Sequence, residues 1–217
     1  MQALIRRPNA PWIFLFMAIA GSAIFGVAIG VFMGPPSVII GERLPEFTCL
    51  QVAFTADRFQ SVFLSFPEAA RLAYADILVP GDLIFAWGYG FQLAGLMGLL
   101  VIRLPGEWQR VGAWMFWAPL LASTLDCVED VFLFALAQQL IADPASDIGA
   151  LFPLLGGLAA TVKYLALTVI TPAFGLAGIV KGLSVDRSIG AWCLYVVFGL
   201  LLVMMVLRPL QQIPPCF

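Results

Sequence analysis

Long apolar runs separated by short polar breaks dominate this chain. Five stretches carry the roughly 20 mostly apolar residues that an α-helix needs to cross a hydrocarbon core of about 30 Å at about 1.5 Å per residue. They cover about 11–34, 82–102, 111–140, 148–180 and 189–207. The fourth is long enough to tilt or to project beyond the membrane. Pro172 inside it predicts a kink rather than an end, because neighbouring helices satisfy the freed carbonyl. The 35–81 segment reads differently: it holds eight charged residues alongside Phe47, Leu50, Phe59, Val62, Phe63 and Phe66. Thr55 is placed to N-cap an amphipathic helix running to about Ser65, and Pro67 to open a second one through Tyr74. Such a segment lies on the outer bilayer surface or caps the bundle, rather than folding as a separate soluble domain. The pattern therefore predicts an all-α polytopic membrane bundle of five transmembrane helices with an amphipathic extracytoplasmic cap, one membrane domain over 1–217.

Composition agrees with a bilayer as the solvent. The chain is 62% hydrophobic and 11% charged, with a mean hydropathy of +0.99; soluble domains are about 45–50% apolar and roughly 25% charged. A net charge of −2 gives no basic surface for nucleic acid. The chain has no His, which excludes His-ligated haem, chlorophyll or zinc and any Ser–His or Cys–His catalytic pair. Its four Cys form no CxxC motif, so no cofactor and no metal motif are read from the sequence. Arg6, Arg7, Arg103, Arg110, Lys181 and Arg187 flank the run ends on one side, whereas the short segments on the other side carry Asp143, Asp147 and Arg208. The positive-inside rule then predicts a cytoplasmic N-terminus and an extracytoplasmic C-terminus. Trp12, Trp108, Trp114 and Trp192 fall near the inner ends, as interfacial anchors do. The first run is longer than the 7–15 apolar residues of a signal peptide and reads as a retained anchor.

The candidate chemistry lies in the charges within the runs: Asp82, Asp126, Glu129, Asp130 and Lys163. Each costs about 2.5–3.5 kcal/mol at a helix centre, so most should face the bundle interior or water. Asp126, Glu129 and Asp130, at i, i+3 and i+4, share a helix face, with Ser123 one turn earlier. Asp126 precedes Pro144 by 18 residues and Lys163 follows it by 19, so antiparallel helices bring the two level. One polar cluster beneath the outer surface is expected, capped by 35–81. With four acids and one base, it should hold protons, bind a cation, or recruit Arg71 or Arg58 from the cap. Four readings stay open: a structural ion-pair network, a ligand, lipid-headgroup or ion site, a transport pathway, and catalysis through a carboxylate pair or Ser123 with Lys163. No catalytic residue is assigned.

Two further patterns carry expectations. Ser22, Gly26, Gly30 and Gly34 place a small residue at every fourth position, a stripe that permits close helix packing inside this protein or against another membrane subunit. Cys49 and Cys216 fall on the same, oxidising side, which leaves two readings open: a disulfide worth about 2–4 kcal/mol, or two unpaired thiols. Cys127 and Cys193 fall inside runs as small apolar fillers.

The stretches FTADRFQSVFLSFPEAARLAYADILVPGDLIFAWGYG, LLASTLDCVEDVFLFAL and ATVKYLALTV resemble a broad group of small bacterial multi-pass membrane proteins of uncharacterised function. The resemblance covers roughly 54–167. It rests on an Arg-x-x-Tyr before an Asp entering span two, an Asp-x-x-Glu in span three and a Lys in span four, matched here by Arg71, Tyr74, Asp82, Asp126, Glu129 and Lys163. The chain departs from that group in carrying Asp130 where Asn is commoner, and in its fifth span. The resemblance implies a helical bundle with a polar heart in a bacterial inner membrane, and no activity. The expected function is a non-enzymatic integral membrane protein, either an accessory subunit of a larger complex or a binder of a lipid-like ligand. A proton- or cation-coupled transporter is the alternative, and a membrane-embedded hydrolase the third.

Overall fold

The computed structural model describes residues 2–211, and among these no strand forms. Twelve α-helices follow in order: α1 Gln2–Ile5, α2 Ala10–Val27, α3 Gly34–Ile40, α4 Leu44–Gln51, α5 Ala56–Leu64, α6 Glu68–Asp76, α7 Leu83–Val101, α8 Gly106–Met115, α9 Trp117–Ala142, α10 Leu151–Tyr164, α11 Thr171–Leu183 and α12 Ile189–Gln211. Wide π-type turns fill Ala28–Met33, Ile77–Asp82 and Leu165–Ile170, so helical segments run on almost without a break across these junctions. Four of the resulting helices are long and apolar enough to cross a membrane: Ala10–Ile40, Glu68–Val101, Leu151–Leu183 and Ile189–Leu207. Helix α9, at 26 residues, is also long enough but carries three acids in its middle.

Local chemistry explains where the helices bend. Val79 precedes Pro80 and takes an extended backbone (φ −135°, ψ 116°), the conformation that a following proline ring imposes. The chain turns there and brings Asp82 directly before the first turn of α7. Phe116 separates α8 from α9 three residues ahead of Pro119, whose missing N–H cannot reach the Met115 carbonyl. The third apolar run is thus two helices, not one. Pro172 sits at the start of α11 behind the Leu165–Ile170 turn, and the helix continues past it to Leu183. The first run extends to Ile40, beyond the expected end at 34, and Gly41 stops it with φ +63°, a left-handed conformation that glycine adopts freely.

The described residues fall into two compact units. The first comprises 2–23, 88–122 and 164–211. Within it α2 and α7 approach backbone to backbone: a Cβ on Gly95 would strike Ala18 N, and one on Gly21 would strike Gln92 N. Phe14 packs on Phe116 at 5.7 Å between ring centres and Trp108 on Phe174 at 6.1 Å. Arg103 pairs with Asp186 at 3.5 Å, and Arg6, Gly106, Gln109 and Arg110 line one small cavity. The basic segments expected on one membrane side are therefore neighbours. Trp12, Trp108, Trp114 and Trp192 are exposed.

The second unit comprises 24–87 and 123–163. Its core is built by the cap segment: Phe59 and Phe63 of α5 and Ala70, Ala73 and Tyr74 of α6 pack with Leu133, Leu136, Ala137 and Leu140 of α9. Phe47 stacks on Phe66 at 3.9 Å and on Tyr74 at 4.5 Å. Thr55 caps α5 as expected, its Oγ1 accepting from Arg58 N, and Pro67 precedes α6. Gln60 donates to the Pro144 carbonyl at 2.9 Å, which ties the cap to the turn between α9 and α10. Arg43 bridges to Glu46 at 2.8 Å and lies 4.2 Å above the Phe66 ring.

Among the described residues the small-residue stripe makes no close packing contact with another helix. Ser22, Gly26 and Gly30 are exposed, and a Cβ on Gly26 or Gly30 would meet no described atom within 4 Å. On Gly34 it would meet only the Ile29 carbonyl of its own helix. Ser22 and Gly26 lie in the regular α2, ahead of the wide turn at Ala28–Met33, and already occupy an exposed face. The close contacts fall instead on Gly21 and Gly95. The expected partner of Cys49, Cys216, lies outside the described residues; Cys127 and Cys193 carry free thiols.

Candidate functional site

The polar cluster read from the sequence is assembled in the second unit. Helix α9 presents Ser123, Asp126, Glu129 and Asp130 on one face, and α10 ends at the turn carrying Lys163. Lys163 Nζ reaches Asp126 Oδ1 at 2.6 Å and Glu129 Oε2 at 2.5 Å. The level pairing of Asp126 with Lys163 across the hairpin is as the residue count about Pro144 implies. Its extension to Glu129 follows from the i, i+3 spacing, which puts both carboxylates over one ammonium. Small residues make room: Gly156, Ala159 and Ala160 are buried on the Lys163 face of α10.

Asp82 joins from the start of α7. One carboxylate oxygen each from Asp82, Asp126 and Asp130 lies within 4.8 Å of the others. Ser123, Glu129 and Asp130 have no exposed surface, Asp126 and Lys163 are each 4% exposed, and Asp82 is half-buried. The acid-rich balance of charge therefore sits in a nearly closed interior, where an uncompensated carboxylate is costly.

Several polar groups in this interior lack partners among the described residues. Both carboxylate oxygens of Asp130, the Ser123 hydroxyl, the Tyr74 hydroxyl and Arg71 Nε are buried without a hydrogen bond. Tyr74 comes from α6 and stands within electrostatic reach of Glu129, Asp130, Asp82 and Lys163. Arg71 lies one turn before it. No ion pair from Arg71 to the acids is formed among the described residues, so the cap delivers a phenol rather than a guanidinium to the cluster. Ser123 is not hydrogen-bonded to Lys163, so the Ser–Lys arrangement considered from the sequence is not made.

The sequence marked Tyr74 through the Arg-x-x-Tyr pattern but left its role open. The stacking of its ring against Phe47, and against Phe63 at 6.2 Å, is what holds the hydroxyl end inward. That aromatic wall has no charge signature and was legible only as part of an amphipathic cap.

Outside the membrane-crossing helices, two charged groups are perturbed by their neighbours. The Asp186 carboxyl is held below the usual range by hydrogen bonds from Ser188 and by Arg103. Arg43 is held above its ordinary value by its bond to Glu46. Both are surface fixtures of loops and take no part in the cluster.

Compared with known proteins, no family model, curated protein or solved structure matches this chain.

Proposed function

We propose that this chain is a non-enzymatic integral membrane protein that crosses the bilayer five times and serves as a binding or accessory component. The observation that carries this reading is the closed, ion-paired centre in which Lys163 is shared by Asp126 and Glu129. Lys163 Nζ is turned to two carboxylates and makes no hydrogen bond to Ser123 among the described residues, so the pair is not set up to deprotonate Ser123. A substrate bond would have to reach carboxylates that have almost no exposed surface.

The fifth crossing is α9. It carries three acids near its middle, and Lys163 pairs with two of them, offsetting one charge. Counting α9, the crossings alternate so that 103–110 and 181–187 share the cytoplasmic side with the N-terminus, while the cap and 143–147 lie outside. The bond from Gln60 to the Pro144 carbonyl favours a common side for these last two.

A lipid-like ligand is favoured by a second feature, in the first unit. An apolar groove of about 380 Å³ is lined by Trp12, Leu15, Leu96, Leu99 and Val197, with Arg103 in its wall. A coupled carrier is less well supported: Thr168, one of the few polar groups available for a path, donates to the Tyr164 carbonyl of its own helix at 2.7 Å.

Native purification tests the reading. The full chain, extracted in mild detergent and analysed by native mass spectrometry, should carry co-purified lipid or partner subunits and show no turnover of lipid or peptide substrates. Hydrolysis that disappears in Asp130→Asn or Lys163→Met protein would overturn it. Reporter fusions should place the 143–147 turn outside and 104–107 inside.

A further inference from the structure

We infer that Asp82, Asp126 and Asp130 form a binding site for a hard divalent cation of the Ca²⁺, Mg²⁺ or Mn²⁺ class, with the hydroxyls of Tyr74 and Ser123 as neutral oxygen donors beside it. This rests on the closed-centre reading above and names what the centre holds.

Charge is the first argument. Lys163 offsets one of the four acids, so a formal excess of three negative charges remains among largely buried side chains. A dication would offset two of them at one point. A monovalent ion would leave two uncompensated.

Geometry is the second. Oxygens on opposite sides of Ca²⁺ stand about 4.6–5.2 Å apart, and on opposite sides of Mg²⁺ about 4.0–4.2 Å, each twice the metal–oxygen bond. The three aspartate oxygens already lie within 4.8 Å of one another, so they can surround one ion without a change of fold. An all-oxygen donor set selects hard cations over zinc or copper.

The hydroxyls point the same way independently of the acids. Tyr74 is 5% exposed and Ser123 has no exposed surface, yet neither hydroxyl has a hydrogen-bond partner among the described residues. Tyr74 approaches from the cap and Ser123 from one turn before Asp126. Two buried hydroxyls brought to a carboxylate cluster from different elements are explained by a ligand that accepts oxygen lone pairs.

The test uses Mn²⁺ as the probe. Full-length protein in detergent, stripped with chelator, is titrated with Mn²⁺ and followed by electron paramagnetic resonance and by metal analysis after desalting. The expected result is saturable binding of one ion per chain, displaced by Ca²⁺ or Mg²⁺. Tyr74→Phe, which preserves every charge, should weaken binding about tenfold, and Asp130→Asn about a hundredfold. Should Asp130→Asn fail to fold, the wild-type titration and Tyr74→Phe still decide the matter. Absence of saturable binding, or binding untouched by Tyr74→Phe, would overturn the site. So would an Asp130→Asn protein that is more stable than the chelated wild type and binds Mn²⁺ equally well, since a shared proton would then explain the cluster. Loss of the ion without any turnover rejects this inference alone. Mn²⁺-dependent turnover rejects the closed non-enzymatic centre while keeping the ion.

Discussion

Replacing Lys163 by Met is the sharpest probe of the buried centre. The side chain is close in length and apolar, so it fills the space left by the lysine stem and removes only the charge. It breaks two contacts at once, at 2.6 Å to Asp126 and 2.5 Å to Glu129, and leaves both carboxylates in an interior where neither is more than 4% exposed. Breaking a buried pair from one side costs about 3–5 kcal/mol, because the remaining charge keeps its desolvation penalty. For a chain of this size that corresponds to a fall in melting temperature of roughly 6–20 °C. The triple change Lys163→Met, Asp126→Asn and Glu129→Gln removes the lysine together with both of its partner charges. Replacing a buried ionic group by neutral residues of similar volume is often close to neutral, so the triple variant should recover at least half of the loss. Tryptophan-monitored thermal unfolding in detergent, with size-exclusion profiles to confirm dispersity, measures each corner. Equal cost of Lys163→Met in the wild-type and in the Asp126→Asn, Glu129→Gln backgrounds would mean the three residues are not coupled, and the assembled centre would be refuted.

Other outcomes follow from the same geometry. Gly95→Ala should destabilise the α2–α7 contact by about 1–3 kcal/mol or more, since its Cβ would strike the Ala18 amide and the Phe14 carbonyl, neither of which can rotate away. Gly26→Ala, with no described atom within 4 Å, should instead be neutral or stabilise by about 0.5–1 kcal/mol through helix propensity; a loss in both would return the Gly26 stripe to the interior. Phe63→Ala empties a site with no exposed surface beneath Tyr74 and should cost about 3–5 kcal/mol, with limited proteolysis cutting the cap first. Asp186, whose carboxyl is held low by Ser188 and Arg103, stabilises the fold above its unfolded-state value. That contribution is lost as pH falls through the lower, folded value. Asp186→Asn should therefore lower the melting temperature at neutral pH and flatten its decline on the acid side.

Much of the polar centre was legible because charges in apolar runs are rare and their spacing is informative. The i, i+3, i+4 acids and the residue count about Pro144 together place Lys163 opposite Asp126 without further knowledge. The second unit's cap was legible for the same reason, through Thr55, Pro67 and alternating Phe and charged positions. Less was legible where packing leaves no repeat. Small-residue spacing marks a face for close approach but not what covers it, and Ser22, Gly26 and Gly30 are exposed. Gly21 and Gly95 were missed because one glycine opposite another helix leaves no periodic trace. The break at Phe116 was missed because Pro119 lies in the first turn of α9, where proline is tolerated.

Helix α9 is the segment on which the proposed fifth crossing depends. Its eleven Leu, Ile, Phe and Val residues contribute about −0.3 to −0.6 kcal/mol each to insertion, so about −3 to −7 kcal/mol in total even if all count fully. Asp126, Glu129 and Asp130 oppose this by about 2.5–3.5 kcal/mol each, or about 8–10 kcal/mol. Alone, α9 is left on the aqueous side of the balance by a few kcal/mol. The ammonium that Lys163 on α10 brings against two of the acids is the compensation on the page, and it arrives only after α10 is made. Insertion of α9 should thus depend on Lys163. With a reporter placed in the 143–147 turn of the full chain, the wild type should read extracytoplasmic, whereas Lys163→Leu should leave a substantial fraction on the cytoplasmic side. Asp126→Asn with Glu129→Gln in the Lys163→Leu background should restore the outside reading, because the acids that demanded compensation are gone. A reporter that reads fully outside in Lys163→Leu would show that α9 inserts by its own hydrophobicity, and that the ion pair forms after the topology is already fixed.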